Sequence, residues 1–271
     1  MCGRDWSSDV CSSDLQVVVT VNPNPEVSVE DVEICAGDDA TLTAVASGGT
    51  PGYTYEWSTG ATSASITVSP GATTSYSVTI TDSKGCSAST SGTVTVNPNP
   101  TVRVEAEEIC AGDDATLTAV GSGGTPGYTY EWSTGATSAS ITVSPGATTS
   151  YSVTVTDSKG CTASTSATVT VNPNPIVSAE GEDATCGDDN GSATASATGG
   201  MAPYTFAWSN GDAGATITGL APGTYTVTAT DSKGCSGTAS VTIDNIGGPT
   251  VEAGPDLEKC PEDALPIDAM V

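Results

Sequence analysis

Hydrophobic and polar residues alternate along short stretches of the chain, which is the pattern of half-buried β-strands. Tyr53-Thr54-Tyr55-Glu56-Trp57 alternates aromatic with polar residues, and residues 76–81 alternate Tyr, Val and Ile with Ser and Thr. Aromatic and β-branched residues also favour strands. Clusters of Gly, Pro and Asp interrupt the pattern about every 8–12 residues, and no stretch has a helical period. The pattern therefore predicts an all-β protein.

The alternating stretches belong to a repeat of 75 residues. Asn-Pro-Asn-Pro occurs at 22–25, 97–100 and 172–175, and residues 111–155 differ from residues 36–80 at two positions. A diverged third copy keeps two Cys and a Trp in frame. The Pro-rich junctions predict short, stiff linkers and hence a rod. The predicted domains are 16–97, 98–172 and 173–246, followed by the truncated start of a fourth at 247–271.

Within the first repeat we predict one first strand over 27–35, a second over 40–46 and a last over 86–96. The turn spacing predicts tandem Ig-like β-sandwich domains of seven short strands each. A Trp after the aromatic strand suits the centre of such a core, and a Tyr opens the sixth strand where a tyrosine corner would begin. The predicted core aromatics are Trp57, Tyr76, Trp132, Tyr151, Trp208 and Tyr225.

Stacking on sugars is the alternative role for the aromatic faces of residues 53–57 and 128–132. We favour the core, because without these residues almost no large side chain would remain inside the sandwich.

Residues 1–15 do not follow the repeat. The run from Asp9 to Leu15 is similar to a translated sequencing adapter, so we expect residues 1–15 to be a disordered artefact. On this hypothesis the chain is a metagenomic fragment that is truncated at both ends, and it would show no signal peptide.

The charge and composition of the chain exclude several classes of function. The chain has 32 acidic and 6 basic residues and no His, and its net charge is −26. Nucleic acid and anionic membrane surfaces both require basic residues, so neither is expected as a partner. No apolar run is long enough to span a membrane. The lack of His removes Ser-His-Asp and Cys-His catalysis, so we expect no enzyme activity.

Adjacent acidic residues recur in every repeat, as turns do and active sites rarely do. We therefore set aside a glycosidase, which needs paired carboxylates, and expect no cofactor. Two interpretations remain, solvated turn carboxylates and calcium at the joints, although the spacing is not that of an EF-hand. Lys84, Lys159 and Lys233 are interpreted as solvated turn tips. The weak calcium candidates are Asp38, Asp39, Asp113, Asp114, Asp188 and Asp189.

The cysteines allow two disulfide schemes, and free thiols are a third outcome. Pairing within repeats gives Cys35–Cys86, Cys110–Cys161 and Cys186–Cys235. Ig-like strand order instead places the two cysteines of a repeat at opposite ends, too far apart for a disulfide. A staggered scheme then joins consecutive repeats through Cys35–Cys161 and Cys110–Cys235, and it would leave Cys86 for a lost upstream repeat and Cys186 for the truncated fourth one. The sequence leaves the choice open.

The third copy resembles a known repeat family. It reads Gly-Gly-Met-Ala-Pro-Tyr-Thr-Phe-Ala-Trp-Ser-Asn-Gly at 199–211, Ile-Thr-Gly-Leu-Ala-Pro-Gly-Thr-Tyr-Thr-Val at 217–227 and Asp-Ser-Lys-Gly-Cys at 231–235. These motifs are similar to the SprB-type repeat, and the first two copies resemble related PKD-like, Ig-like modules. Such modules occur in very large surface adhesins of gliding Bacteroidetes and also separate catalytic domains in secreted enzymes. The resemblance implies export to the cell surface, often by a type IX system, and gives no catalytic residues.

The predicted function is a structural or adhesive stalk in a large secreted bacterial surface protein. Surface polysaccharide or protein ligands would be bound through other parts of that protein. The alternative is a spacer or carbohydrate-binding region of a secreted polysaccharide-degrading enzyme.

Overall fold

The computed structural model describes residues 19–247, and all regular elements there are β-strands. The predicted artefact at 1–15 lies outside the described residues, as does nearly all of the predicted fourth repeat. The first repeat contains β1 Pro25–Val29, β2 Val32–Cys35, β3 Ala40–Gly48, β4 Thr54–Trp57, β5 Ser65–Val68, β6 Thr74–Thr81 and β7 Ser87–Asn97.

The second and third repeats follow the same order of strands. The second contains β8 Pro100–Arg103, β9 Glu107–Cys110, β10 Ala115–Thr118, β11 Val120–Gly123, β12 Thr129–Trp132, β13 Ser140–Val143, β14 Thr149–Thr156 and β15 Thr162–Asn172. The third contains β16 Ile176–Glu182, β17 Ala184–Thr185, β18 Gly191–Thr198, β19 Thr205–Trp208, β20 Thr216–Leu220, β21 Gly223–Thr230, β22 Ser236–Ile243 and β23 Asn245–Ile246.

The first repeat forms two sheets, one of order β1-β3-β5 and one of order β2-β7-β6-β4. All neighbours are antiparallel except β2 and β7, which run parallel with Cys35 opposite Asn97. The equivalent pairs in the second repeat are β8–β11, β10–β13, β12–β14 and the parallel pair β9–β15. The third repeat has sheets β16-β18-β20 and β19-β21-β22 and the parallel pair β17–β23. The chain thus has the predicted tandem all-β, Ig-like fold.

The single first strand predicted over 27–35 is wrong. Two strands occupy this stretch, and they belong to different sheets, since β1 pairs with β3 and β2 with β7. Between them the Asp31 carboxylate accepts a hydrogen bond from Thr93 N at 2.7 Å. The alternation also changes phase here, from odd-numbered Val residues in β1 to even-numbered apolar residues in β2. The chain therefore crosses from one sheet to the other at this point.

The contacts between residues divide the described chain into two compact units, and the second repeat contributes to both. One unit comprises the chain up to residue 104 with 119–139 and 152–165, and the other comprises 105–118, 140–151 and the chain from residue 166. The division into domains at 16–97, 98–172 and 173–246 stays a prediction.

A buried Trp lies at the centre of each repeat. Trp57, Trp132 and Trp208 are 2%, 2% and 4% exposed. The Trp57 indole N–H donates to Ser63 O at 2.8 Å, so its polar atom is satisfied inside the core. Tyr76, Tyr151 and Tyr225 are half-buried. The Tyr225 hydroxyl donates to Ala221 O at 2.9 Å, as in a tyrosine corner.

Candidate functional site: the joints between repeats

Two disulfides join consecutive repeats. Cys35 is bonded to Cys161 and Cys110 to Cys235, with Cα–Cα distances of 5.5 and 5.4 Å. The staggered scheme is therefore the one that forms, and pairing within repeats is wrong for these four cysteines. Among the described residues, Cys86 and Cys186 have no disulfide partner.

Strand direction explains the staggered pairing. Cys35 ends β2 opposite Asn97, the last residue of β7, whereas Cys86 directly precedes the first residue of β7. Because β7 has 11 residues, the two cysteines of this repeat are separated by roughly 35 Å of strand. A disulfide needs Cα atoms within about 7 Å, so each cysteine requires a partner outside its own repeat.

An ion pair lies beside each disulfide. Lys159 Nζ is 2.8 Å from Glu33 Oε2 at the first joint. At the second joint Lys233 Nζ is 2.6 Å from Glu108 Oε1. Each Glu and each Lys lies two residues before a disulfide cysteine, which repeats the same contact at both joints. These two lysines are thus ion-pair partners of the preceding repeat, and their interpretation as solvated turn tips is corrected.

The ion pairs also change the titration of the carboxylates. The hydrogen bond from Lys159 and then its charge lower the pKa of Glu33 below its ordinary value of 4.5. The hydrogen bonds from Lys233 and Asn172 do the same for Glu108. The four side chains are still 41–57% exposed, so each ion pair is only partly shielded from solvent.

The asparagines of the linkers hold the linkers against the stapled strand ends. Asn99 Nδ2 donates to Ala36 O, and Asn174 Nδ2 donates to Ala111 O, both at 2.9 Å. Asn172 Nδ2 donates to Glu108 Oε1 at 3.0 Å. The Asn residues of Asn-Pro-Asn-Pro therefore stiffen the linkers together with the Pro residues on which the prediction was based. The recurrence of Asn at the same period is the sequence signal for these contacts.

A buried aspartate shapes the turn that carries each Lys and Cys. Asp157 is 5% exposed, and its Oδ1 accepts hydrogen bonds from the backbone N–H groups of Lys159 and Cys161, both at 2.9 Å. Its Oδ2 accepts one from Thr125 N at 2.8 Å, which ties the turn to the Gly-Gly loop. Asp82 and Asp231 make the equivalent contacts. The turn sequence Asp-Ser-Lys-Gly-Cys gives no sign that its Asp is buried.

The backbone donors keep these aspartates ionised. The N–H of Thr125 is the main cause that lowers the pKa of Asp157 below 3.8, and this outweighs the opposite effect of burial. At Asp231 burial is the largest influence and raises the pKa, but the backbone donors together still lower it. Gly124 has φ +58°, and a Cβ there would lie 2.6 Å from Asp157 Oδ2. The loop therefore requires glycine at this position.

The calcium candidates lie in exposed turns, and Asp39 and Asp114 accept hydrogen bonds from serine hydroxyls. Asp39 Oδ1 accepts a hydrogen bond from the Ser69 hydroxyl. Asp113 and Asp114 line an open cleft with Glu108 and Lys233, where the lysine ammonium provides the positive charge. Asp38, Asp188 and Asp189 are also exposed. Within residues 19–247, no group of three or more His, Cys, Asp or Glu residues could hold a metal ion.

The tyrosines beside the core Trp bind their own loops. Tyr53 and Tyr55 are half-buried and pack against the core of the first repeat. The hydroxyl of Tyr53 donates to Gly48 O, and that of Tyr128 donates to Gly123 O. These contacts support the core interpretation of the aromatic face over sugar stacking.

Tandem Ig-like repeats stapled by disulfides define a repeat region of the surface-protein type. The SprB repeat model matches residues 28–62, 106–137 and 178–213, one stretch in each of the three repeats. The match includes the first two copies, whose sequence resembles PKD-like modules. A search of the curated proteins found no match. No helix within residues 19–247 is long and apolar enough to cross a membrane.

Among solved structures, the chain is similar to an I-band fragment of titin, with 13% identity, a TM-score of 0.43, and coverage of 84% of this chain and 100% of that one. It is also similar to the N-terminal eight Ig domains of Down Syndrome Cell Adhesion Molecule, with 17% identity, a TM-score of 0.40, and coverage of 83% and 37%. A third similarity is to extracellular domains 3–5 of Drosophila OTK, with 12% identity, a TM-score of 0.33, and coverage of 81% and 95%.

Proposed function

We propose that the described chain is a covalently stapled stalk segment of a large secreted bacterial surface protein of the gliding or adhesion type. The observation that carries this proposal is the repeated joint, in which a disulfide, an ion pair and a linker asparagine all hold one repeat to the next. The segment holds distal domains away from the cell and performs no catalysis itself. Those other domains bind the surface polysaccharide or protein ligands.

Disulfides that persist belong to an oxidising compartment, which supports a location outside the cytoplasm. The proposal includes export to the cell surface by a type IX system. A spacer in a secreted polysaccharide-degrading enzyme would have the same joints. A glycan array distinguishes the stalk from the carbohydrate-binding alternative. A stalk segment binds no glycan on the array, whereas a carbohydrate-binding module binds one and loses that binding when Tyr128 is replaced.

A pulling experiment tests the mechanical role. With both disulfides intact, the chain between Cys35 and Cys235 extends no further than the backbone run from Cys110 to Cys161, a sequence separation of 51. That length is about 180 Å, whereas the reduced chain extends to about 700 Å. Single-molecule extension with handles at residues 19 and 247 is expected to give a much shorter unfolded length before reduction than after it. Equal lengths would reject the stapled stalk.

A further inference from the structure

The turn that receives each staple occurs three times, and two copies are occupied. Asp-Ser-Lys-Gly-Cys stands at 82–86, 157–161 and 231–235. In the second and third copies, the Lys and Cys hold the Glu-x-Cys end of the preceding repeat. In the first copy, Lys84 is exposed and Cys86 is half-buried.

The first copy has the same internal geometry as the occupied ones. Asp82 Oδ1 accepts from the N–H groups of Lys84 and Cys86, both at 2.9 Å, and Asp82 Oδ2 accepts from Thr50 N at 2.9 Å. These distances match those around Asp157 and Asp231 to within 0.1 Å. The turn is therefore preorganised without a described partner.

The first copy of the turn differs from the other two in the burial of its cysteine. Cys161 and Cys235 are each 1% exposed, whereas Cys86, at the same place in its repeat, is only half-buried. The geometry points to Lys84 and Cys86 as a docking site for another SprB repeat, one whose second strand ends in Glu-x-Cys. Lys84 pairs with the incoming Glu, and Cys86 forms a disulfide with the incoming Cys. The site stands on its own contacts and does not depend on the stalk function.

The Cys186 end of the third repeat differs from the two ends that are stapled, so we do not expect two copies of this chain to join through Cys186. Thr185 lies opposite Ile246, as Cys35 lies opposite Asn97. Cys186 N donates to Ile246 O at 3.0 Å, as Ala36 N donates to Asn97 O at 2.9 Å. Cys186 therefore lies one residue beyond the staple position.

The acidic residue of that end differs as well. The register places Asp183 where the first repeat has Glu33. Its shorter carboxylate accepts a hydrogen bond from Asp244 N at 2.9 Å and so binds its own sheet. Cys186 also has φ +59° and is exposed, unlike the half-buried Cys35 and Cys110. The docking site therefore requires a repeat with the Glu-x-Cys register of the first two repeats.

The covalent step is thiol–disulfide exchange. The Cys86 thiol loses its proton, and the thiolate attacks the sulfur of an incoming Cys that is held in a mixed disulfide. A new disulfide forms, the old one breaks, and the displaced thiolate leaves. No other oxidant is needed when the incoming Cys arrives in this activated form.

A peptide with the sequence of residues 33–39, Glu-Ile-Cys-Ala-Gly-Asp-Asp, tests the site when its Cys carries thionitrobenzoate. The receiver is the full chain with Cys2, Cys11, Cys186 and Cys260 replaced by Ser, so that Cys86 is the free thiol. Release of thionitrobenzoate gives the rate of coupling. A second peptide has Gln in place of Glu33, and a third exchanges the order of Glu and Ile.

We expect the Glu peptide to couple about threefold to fivefold faster than the Gln peptide at low ionic strength, with the difference removed by about 0.5 M salt. Lys84→Gln should abolish the faster coupling of the Glu peptide, and Lys84→Arg should retain it. Non-specific charge predicts the opposite order, because the chain carries a net charge of −26 and repels the more acidic peptide. Equal rates, a faster Gln peptide or an equally fast exchanged peptide would overturn the docking site while leaving the stapled joints and their pulling behaviour unaffected.

Discussion

Lys159 donates a hydrogen bond of 2.8 Å to Glu33, and both residues lie two positions before the cysteines of the Cys35–Cys161 disulfide. When Glu33 and Lys159 are paired, Cys35 and Cys161 therefore also lie opposite each other across the joint. We expect an ion pair in this place to bring the correct two thiols together before they are oxidised.

We expect Lys159→Gln to slow formation of Cys35–Cys161 during oxidative refolding and to leave Cys110–Cys235 unaffected. Alkylation of free thiols at timed intervals, followed by mapping of disulfide-linked peptides, measures both rates. Lys84→Gln is the matched control and should change neither rate.

Because the pKa of Glu33 is lowered in the folded chain, the stabilisation that this ion pair gives to the folded state is complete above about pH 4.5 and is lost as pH falls through the lowered pKa. An unchanged rate in Lys159→Gln at neutral pH would contradict the guiding role.

Asp157→Asn is expected to lower the melting temperature, because an amide cannot accept the hydrogen bonds of Lys159 N, Cys161 N and Thr125 N with both of its atoms. Asp113→Asn, in an exposed turn, is the control and should have little effect. Since the pKa of Asp157 is lowered in the fold, its stabilisation is complete above pH 3.8 and disappears as pH falls through the lowered pKa. The variant should therefore show a shallower loss of stability in acid, measured by thermal unfolding at several pH values.

Trp57→Ala should destabilise the core of the first repeat by about 3–5 kcal/mol. The indole is 2% exposed and packs with Leu42, Val78 and Ile80, so its removal leaves a cavity. Hydrogen exchange of the β6 amides measures the loss locally. Val45→Ala, at a side chain that is 59% exposed, should change protection by less than about 0.5 kcal/mol. Similar protection of the β6 amides from exchange in the two variants would contradict the assignment of Trp57 to the core.

Asn99→Ala removes the hydrogen bond to Ala36 O. A bond of this kind contributes about 1 kcal/mol, so exchange of amides near residue 36 should become about fivefold faster. Asn210→Ala is the control, since that side chain binds Asp212 within a turn of the third repeat. Identical exchange near residue 36 in both variants would show that the linker asparagine does not hold the joint.

Local patterns predicted the strands and the fold because alternation is a property of neighbouring residues. The break between β1 and β2 was also readable, since Val27 and Val29 are out of phase with Val32 and Ile34. The ion pairs could not be predicted, because Glu33 and Lys159 are 126 residues apart and nothing local distinguishes them from solvated charges. The burial of Asp157 depends on a Gly-Gly loop 32 residues away, so its turn sequence alone looks like any exposed hairpin.

The staggered disulfides give the chain an unusual tolerance of cleavage. The Cys35–Cys161 bond and the Cys110–Cys235 bond are connected by three separate runs of backbone, 35–110, 110–161 and 161–235. A protease that cuts one run leaves the chain before Cys35 covalently attached to the chain after Cys235. Cuts in two different runs still leave one connection. Only a cut in each of the three runs separates the two ends, so the molecule can be nicked and remain in one piece until it is reduced.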